Sequence, residues 1–136
     1  MARANVNALK TLAAGKYMLI ATAATQRTGA QPDANTGEPS VYVNVRFETK
    51  ERQYVYQNYS LNNPRALRNL LLAITGDEVH ADTLLERIDW EEPADVEVLF
   101  NHPIIAEVTV DEYTDKAGVK QQTNRVGRVE FPKPLD

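Results

Sequence analysis

Two stretches of this chain alternate too regularly to be helical. In VYVNVRFE (41–48), Val41, Val43, Val45 and Phe47 fall on one face, and Tyr42, Asn44 and Arg46 on the other. IIAEVTVDEYT (104–114) repeats the pattern with Ile104, Ala106, Val108 and Val110. A period of two is the signature of half-buried β-strands. TKER follows the first stretch as a tight polar turn, and QYVYQNYS (53–60) then completes a hairpin. KYMLIATAAT (16–25) reads as an earlier strand, and DKAG turns the chain into a last one, roughly 121–131. Between the first two strands, QRTGAQPDANTGEPS (26–40) has the composition of a long turn or flexible loop. Residues 1–15 read as a loose or helical lead-in, and 132–136 as a short tail.

One segment breaks this β pattern. In NNPRALRNLLLAITG (62–76), Leu67, Leu70, Leu71 and Ile74 recur at helical spacing. Asn63 is placed to cap this helix, Pro64 suits its first position, and Gly76 ends it. A short second helix is expected around Asp82–Ile88, followed by an acidic, Pro-interrupted connection over 89–103. The chain is therefore mainly β, with one main helix between strands 3 and 4. That is the element order of the OB-fold, a five-stranded Greek-key barrel. A length of 136 residues fits a single domain, 1–136.

Chemistry-bearing motifs are few. With no Cys, disulfides, thiolate metal sites and Cys nucleophiles are excluded. His80 and His102 stand alone in polar segments without metal-ligand spacing. GAQPDANTG lacks the Lys-Ser/Thr of a phosphate loop. Asp111, Glu112 and Asp115 read as a hydrated hairpin tip rather than a Mg²⁺ site. The expectation is a protein with no enzymatic activity, cofactor or metal. The N-terminus lacks the apolar run of a signal peptide, and nothing approaches a membrane-spanning length, so a cytoplasmic protein is expected.

The formal net charge of −4 argues at first against a polyanionic partner. Its distribution weakens the objection. Nine acids and one base lie between Asp77 and Glu97, leaving 10 acids against 14 bases elsewhere, a local excess of +4. The polar faces of the strands then offer Tyr42, Asn44 and Arg46, Tyr54 and Tyr56, and, at the last strand and its turn, Lys120, Asn124, Arg125 and Arg128. Cations that track phosphates, interleaved with rings on which bases stack, are what single-strand binding requires. Strict alternation would put Arg125 and Arg128 on opposite faces, but Gly127 between them marks a candidate bulge that turns both outward.

G-K-Y (15–17), NNPRALRNLLLAITG (62–76) and VTVDEYTDKAGVKQQTNRVGRV (108–129) together resemble phage single-stranded DNA-binding proteins and related uncharacterised phage early proteins. The resemblance covers roughly residues 15–131. It implies an OB-fold that coats single-stranded DNA in phage replication or recombination, in the host cytoplasm, with replication or recombination proteins as further partners and homo-oligomerisation left open. It also implies that Asn124, Arg125 and Arg128 face or flank the DNA groove. Many bacterial-type proteins of this kind recruit partners through an acidic tail with a terminal aromatic, and KPLD offers no counterpart. The competing reading is an OB-fold that binds only protein, as a replication accessory or host-takeover factor, for which the overall acidity speaks.

Overall fold

The longest strand organises the molecule. In the computed structural model, which describes residue 4 and residues 11–32 and 37–132, β1 runs from Gly15 to Pro32. The tail beyond Pro132, the centre of the 26–40 segment and most of the lead-in lie outside the described residues. Eighteen residues of straight strand would reach about 60 Å, against a radius of gyration of about 14 Å for a chain this size. β1 must therefore bend. It does so by changing partners: Gly15–Leu19 pairs antiparallel with β4 (Ile104–Thr114), and Ile20 onward pairs antiparallel with β2 (Pro39–Glu48). A register shift between Ala21 and Ala23 falls just beyond the switch and leaves Thr22 as an extra residue.

β3 (Tyr54–Ser60) continues from β2, and β5 (Lys120–Glu130) from β4. The result is a mainly β protein with a five-stranded antiparallel sheet in the order β3-β2-β1-β4-β5. Its two edges come together. The Val126 N–H donates to Gln57 Oε1 at 3.0 Å, so a side chain joins β5 to β3 where no backbone ladder forms among the described residues. Val43, Val45, Phe47, Val55, Ile104 and Val108 are buried on the concave side.

The segment between β3 and β4 holds more helix than one main element. α1 (Arg65–Thr75) is matched in length by α2 (Glu78–Arg87), and a single turn, α3 (Pro93–Val96), runs into a 3₁₀ turn over Glu97–Leu99. α1 buries Leu67, Leu70, Leu71, Ala73 and Ile74 on one stripe. Gly76 ends it in the left-handed region at φ 69°, its N–H donating to the Leu72 carbonyl. Asn63 does not cap α1; no side chain does, and Pro64 holds the cap position. The neighbouring Asn62 instead accepts from the Val41 N–H at 2.8 Å and donates to the Pro39 carbonyl at 3.1 Å, tying the turn to β2. α2 begins four residues before the expected Asp82, because the Asp77 carboxylate accepts from the Val79 and His80 N–H groups. Trp90, Val96 and Leu99 are buried, so the acidic connection is also a wall of the core.

The flexible loop expected over 26–40 is largely strand. Gln26, Arg27 and Thr28 pair with Val43, Tyr42 and Val41, and Pro32 with Pro39, leaving 33–36 outside the described residues. Tertiary pairing overrides composition here. β2 is ten residues long and needs a partner along its whole length, while β3 offers only seven. Gly29 suits the close approach, since a Cβ there would sit 3.3 Å from that of Ser40.

Candidate nucleic-acid interface

Three strands present one polar face. Directly opposed residues in a sheet share a side. Across β1, β2 and β3 the rows are Arg27–Tyr42–Ser60, Thr25–Asn44–Asn58 and Ala23–Arg46–Tyr56, with Glu48–Tyr54 beyond. Because Val43, Val45, Phe47 and Val55 fill the opposite side, this is the outer face. Five residues expected from the sequence, Tyr42, Asn44, Arg46, Tyr54 and Tyr56, thus share one surface.

Their geometry is ordered from Arg46 outward. The Arg46 Nε donates to Thr22 Oγ1 at 3.0 Å, and the guanidinium carbon lies 4.6 Å from the centre of the Tyr54 ring. Tyr54 meets Tyr56 edge to face, with ring centres 6.5 Å apart. One face of Tyr54 is therefore occupied by a cation, while Tyr56, 53% exposed, is the open ring of the row. A planar guanidinium held at Nε leaves its terminal nitrogens to donate to a phosphate or a base edge. Asn44 donates to Asn58 Oδ1 at 2.7 Å, which fixes both amides and leaves the Asn58 amide hydrogens for a ligand.

Reasoning from the sequence missed Asn58, Arg27 and Thr22 on this surface. Arg27, assigned to a loop, stands on β1 directly opposite Tyr42 and makes no ion pair among the described residues. Thr22 carries no local signal, since nothing in LIATAAT marks the bulge that brings its hydroxyl to Arg46.

The last strand behaves less uniformly. The register of β4 and β5 shifts between Ala106 and Val108, opposite Val129 and Val126, so Gly127 and Arg128 form the bulge that the glycine marks. Both arginines are consequently exposed, Arg125 at 66% and Arg128 at 79% of the side chain. Each already faces a carboxylate: Arg125 Nε lies 3.1 Å from Asp111 Oδ2, and Arg128 Nε 3.4 Å from Glu130 Oε1. Such exposed pairs are weak and a phosphate can compete for them. Since Gln57 holds β3 beside β5, the outward residues of the two strands border one another across the seam.

Asn124 and Lys120 stand apart from this surface. The Asn124 Oδ1 accepts from the Leu12 N–H at 2.8 Å, and its Nδ2 donates to the Leu12 carbonyl at 2.9 Å and the Thr109 carbonyl at 3.3 Å. Its amide is used to pin the lead-in to β5. Lys120 sits at the tip of the β4–β5 hairpin, six residues or about 20 Å along the strand from the seam. That tip is built by Asp115, whose Oδ1 accepts from the Ala117 and Val119 N–H groups and whose Oδ2 accepts from Gln121 Nε2. These bonds, Val119 first, hold its carboxyl below the usual aspartate range. No group of three His, Cys, Asp or Glu among the described residues is arranged to hold a metal ion.

No protein-family model matches the chain, and no curated protein matches it significantly.

Proposed function

We propose that this protein is a five-stranded OB-fold Greek-key barrel that binds single-stranded DNA without strong sequence preference, protecting or presenting it in phage replication or recombination. The barrel reading is supported by the partner switch of β1 and by the edge strands joined through Gln57. The observation that carries the function is the outer row in which Thr22 orients Arg46 against Tyr54 and leaves Tyr56 open. A fixed cation beside a free ring serves a phosphate and its base at once, and it does so for any base. The role is binding, not catalysis, with the cytoplasm of an infected cell as its place. Among the described residues no helix is long and apolar enough to cross a membrane.

Fluorescence anisotropy with labelled oligo-dT at two salt concentrations tests this. Affinity falls as salt rises, with a slope of about −0.7 per phosphate contacted. Arg125→Ala and Arg128→Ala flatten that slope, whereas Tyr56→Ala weakens binding by about 1–3 kcal/mol at every salt concentration. Well-folded protein that binds no oligo-dT at low salt sinks the reading. The protein-interaction reading then takes its place, favoured by the carboxylates already opposite Arg125 and Arg128.

A further inference from the structure

We propose that the groove between α1, the β3 edge and the C-terminal end of β5 is a second base-binding subsite, in which Phe131 stacks on one nucleobase and Asn69 meets its edge. This rests on the single-strand reading above and extends its track past the seam. The groove has a volume of about 660 Å³, within the range of about 300–1,000 Å³ that holds small ligands. Its walls carry the three parts that a nucleotide needs.

Phe131 is half exposed and lines the groove just after β5 ends. Its ring is held in place: three of its atoms lie 3.0–3.3 Å from where a Cβ on Gly76 would be, so the glycine is what allows the ring to settle against the end of α1. An exposed aromatic already fixed by packing loses little freedom when a base stacks on it. Asn69 lines the opposing wall on α1 and is exposed, and its carboxamide makes no hydrogen bond among the described residues. A carboxamide offers a donor and an acceptor side by side, which complements the polar edge of any base. Arg128 lines the groove from β5, next to the seam, and supplies the phosphate contact. Tyr59 also borders the groove, and its hydroxyl is the one buried side-chain polar atom without a hydrogen-bond partner among the described residues.

The distance along β5 is short. From Val126, opposite Gln57, to Phe131 is about 16 Å of strand, so a strand lying over Tyr56 reaches Phe131 by following β5 through Arg128. The test is oligo-dT binding to the full chain carrying Phe131→Leu, Phe131→Trp or Asn69→Ala, with melting curves for each. Leucine keeps the apolar contact with α1 and removes the π-face; tryptophan keeps the π-face. Phe131→Leu is expected to weaken binding about fivefold or more, with the loss undiminished at high salt, while Phe131→Trp stays within about twofold of the original. The shortest oligomer that reaches full affinity should shorten in Phe131→Leu. Asn69→Ala should weaken binding without lowering the melting temperature. Oligo-dT binding that is identical in the Phe131→Leu and unsubstituted proteins overturns the subsite and leaves the Tyr56 surface standing. Absence of oligo-dT binding in the unsubstituted protein overturns both.

Discussion

Tyr59 and Tyr56 are three residues apart on one strand and meet opposite fates. Tyr56 points outward and is half exposed beside Tyr54, whereas Tyr59 is buried against Phe47, edge to face at 6.5 Å. Burial pushes the Tyr59 phenol well above its ordinary pKa, so it is neutral at any physiological pH. Its hydroxyl also lacks a partner among the described residues, and leaving a buried hydroxyl unmatched costs about 1–3 kcal/mol. Tyr59→Phe keeps the ring and removes the unmatched group. Thermal melting should show that variant as stable as the unsubstituted protein or up to about 2 kcal/mol more so. A marked loss of stability would mean that the hydroxyl has a partner after all, such as an enclosed water. Asn124 teaches a related lesson at this scale: a polar side chain beside two arginines looked like part of a ligand surface and is instead consumed by the Leu12 backbone.

Among the elements, those with a clean period were legible from the sequence and those without were not. β2 alternates without interruption, and the stripe of α1 keeps helical spacing, so their faces could be named in advance. β1 could not be read to its end. It changes partner at Leu19–Ile20 without any break in the alternation, carries an extra residue at Thr22 that does break it, and its last third has the Gly and Pro of a turn. Arg27 was lost from the candidate surface with it. The acidic run from Asp77 to Glu97 was legible as charge but not as punctuation. Asp77, Asp89, Glu92 and Asp95 each accept a backbone N–H, and Asp82 pairs with Arg68 at 2.6 Å between α1 and α2. Four of the nine acids in that block are therefore spent on the ends and turns of short helices. The β4–β5 hairpin depends on one acid in the same way. With its folded pKa depressed, Asp115 supports the turn above its unfolded value of about 3.9 and loses that support as pH falls through the lower folded value. The amide proton resonances of Ala117 and Val119 should therefore titrate together with a midpoint below that of an ordinary aspartate, and not titrate in Asp115→Asn. Amides that respond to pH identically in Asp115→Asn and in the unsubstituted protein would show that the carboxylate does not hold the turn.

Taken as a whole, the molecule brings acids up to its proposed contact surface: Glu91 and Glu97 share a cavity with Thr22 and Arg27, and Asp111 and Glu130 face Arg125 and Arg128. The acids between β3 and β4 gather on α2, α3 and their connections, while Arg27, Arg46, Arg125 and Arg128 stand on strands. The field at the outer face is set by which acids the fold brings beside these arginines and not by the total charge. The partner switch in β1 has a separate consequence, for how the chain reaches this state. Ile20–Thr28 finds β2 within a few dozen residues, but Gly15–Leu19 must wait for Ile104–Val108, nearly ninety residues downstream. Closing so large a loop costs entropy before any of its contacts form, and chains dominated by such distant pairings fold in milliseconds to seconds rather than microseconds. Stopped-flow refolding should fall in that slow range. A chain emerging from the ribosome would hold a hairpin of β1 and β2 with the Gly15–Leu19 edge unpaired until β4 is synthesised, and in that interval it is most exposed to aggregation.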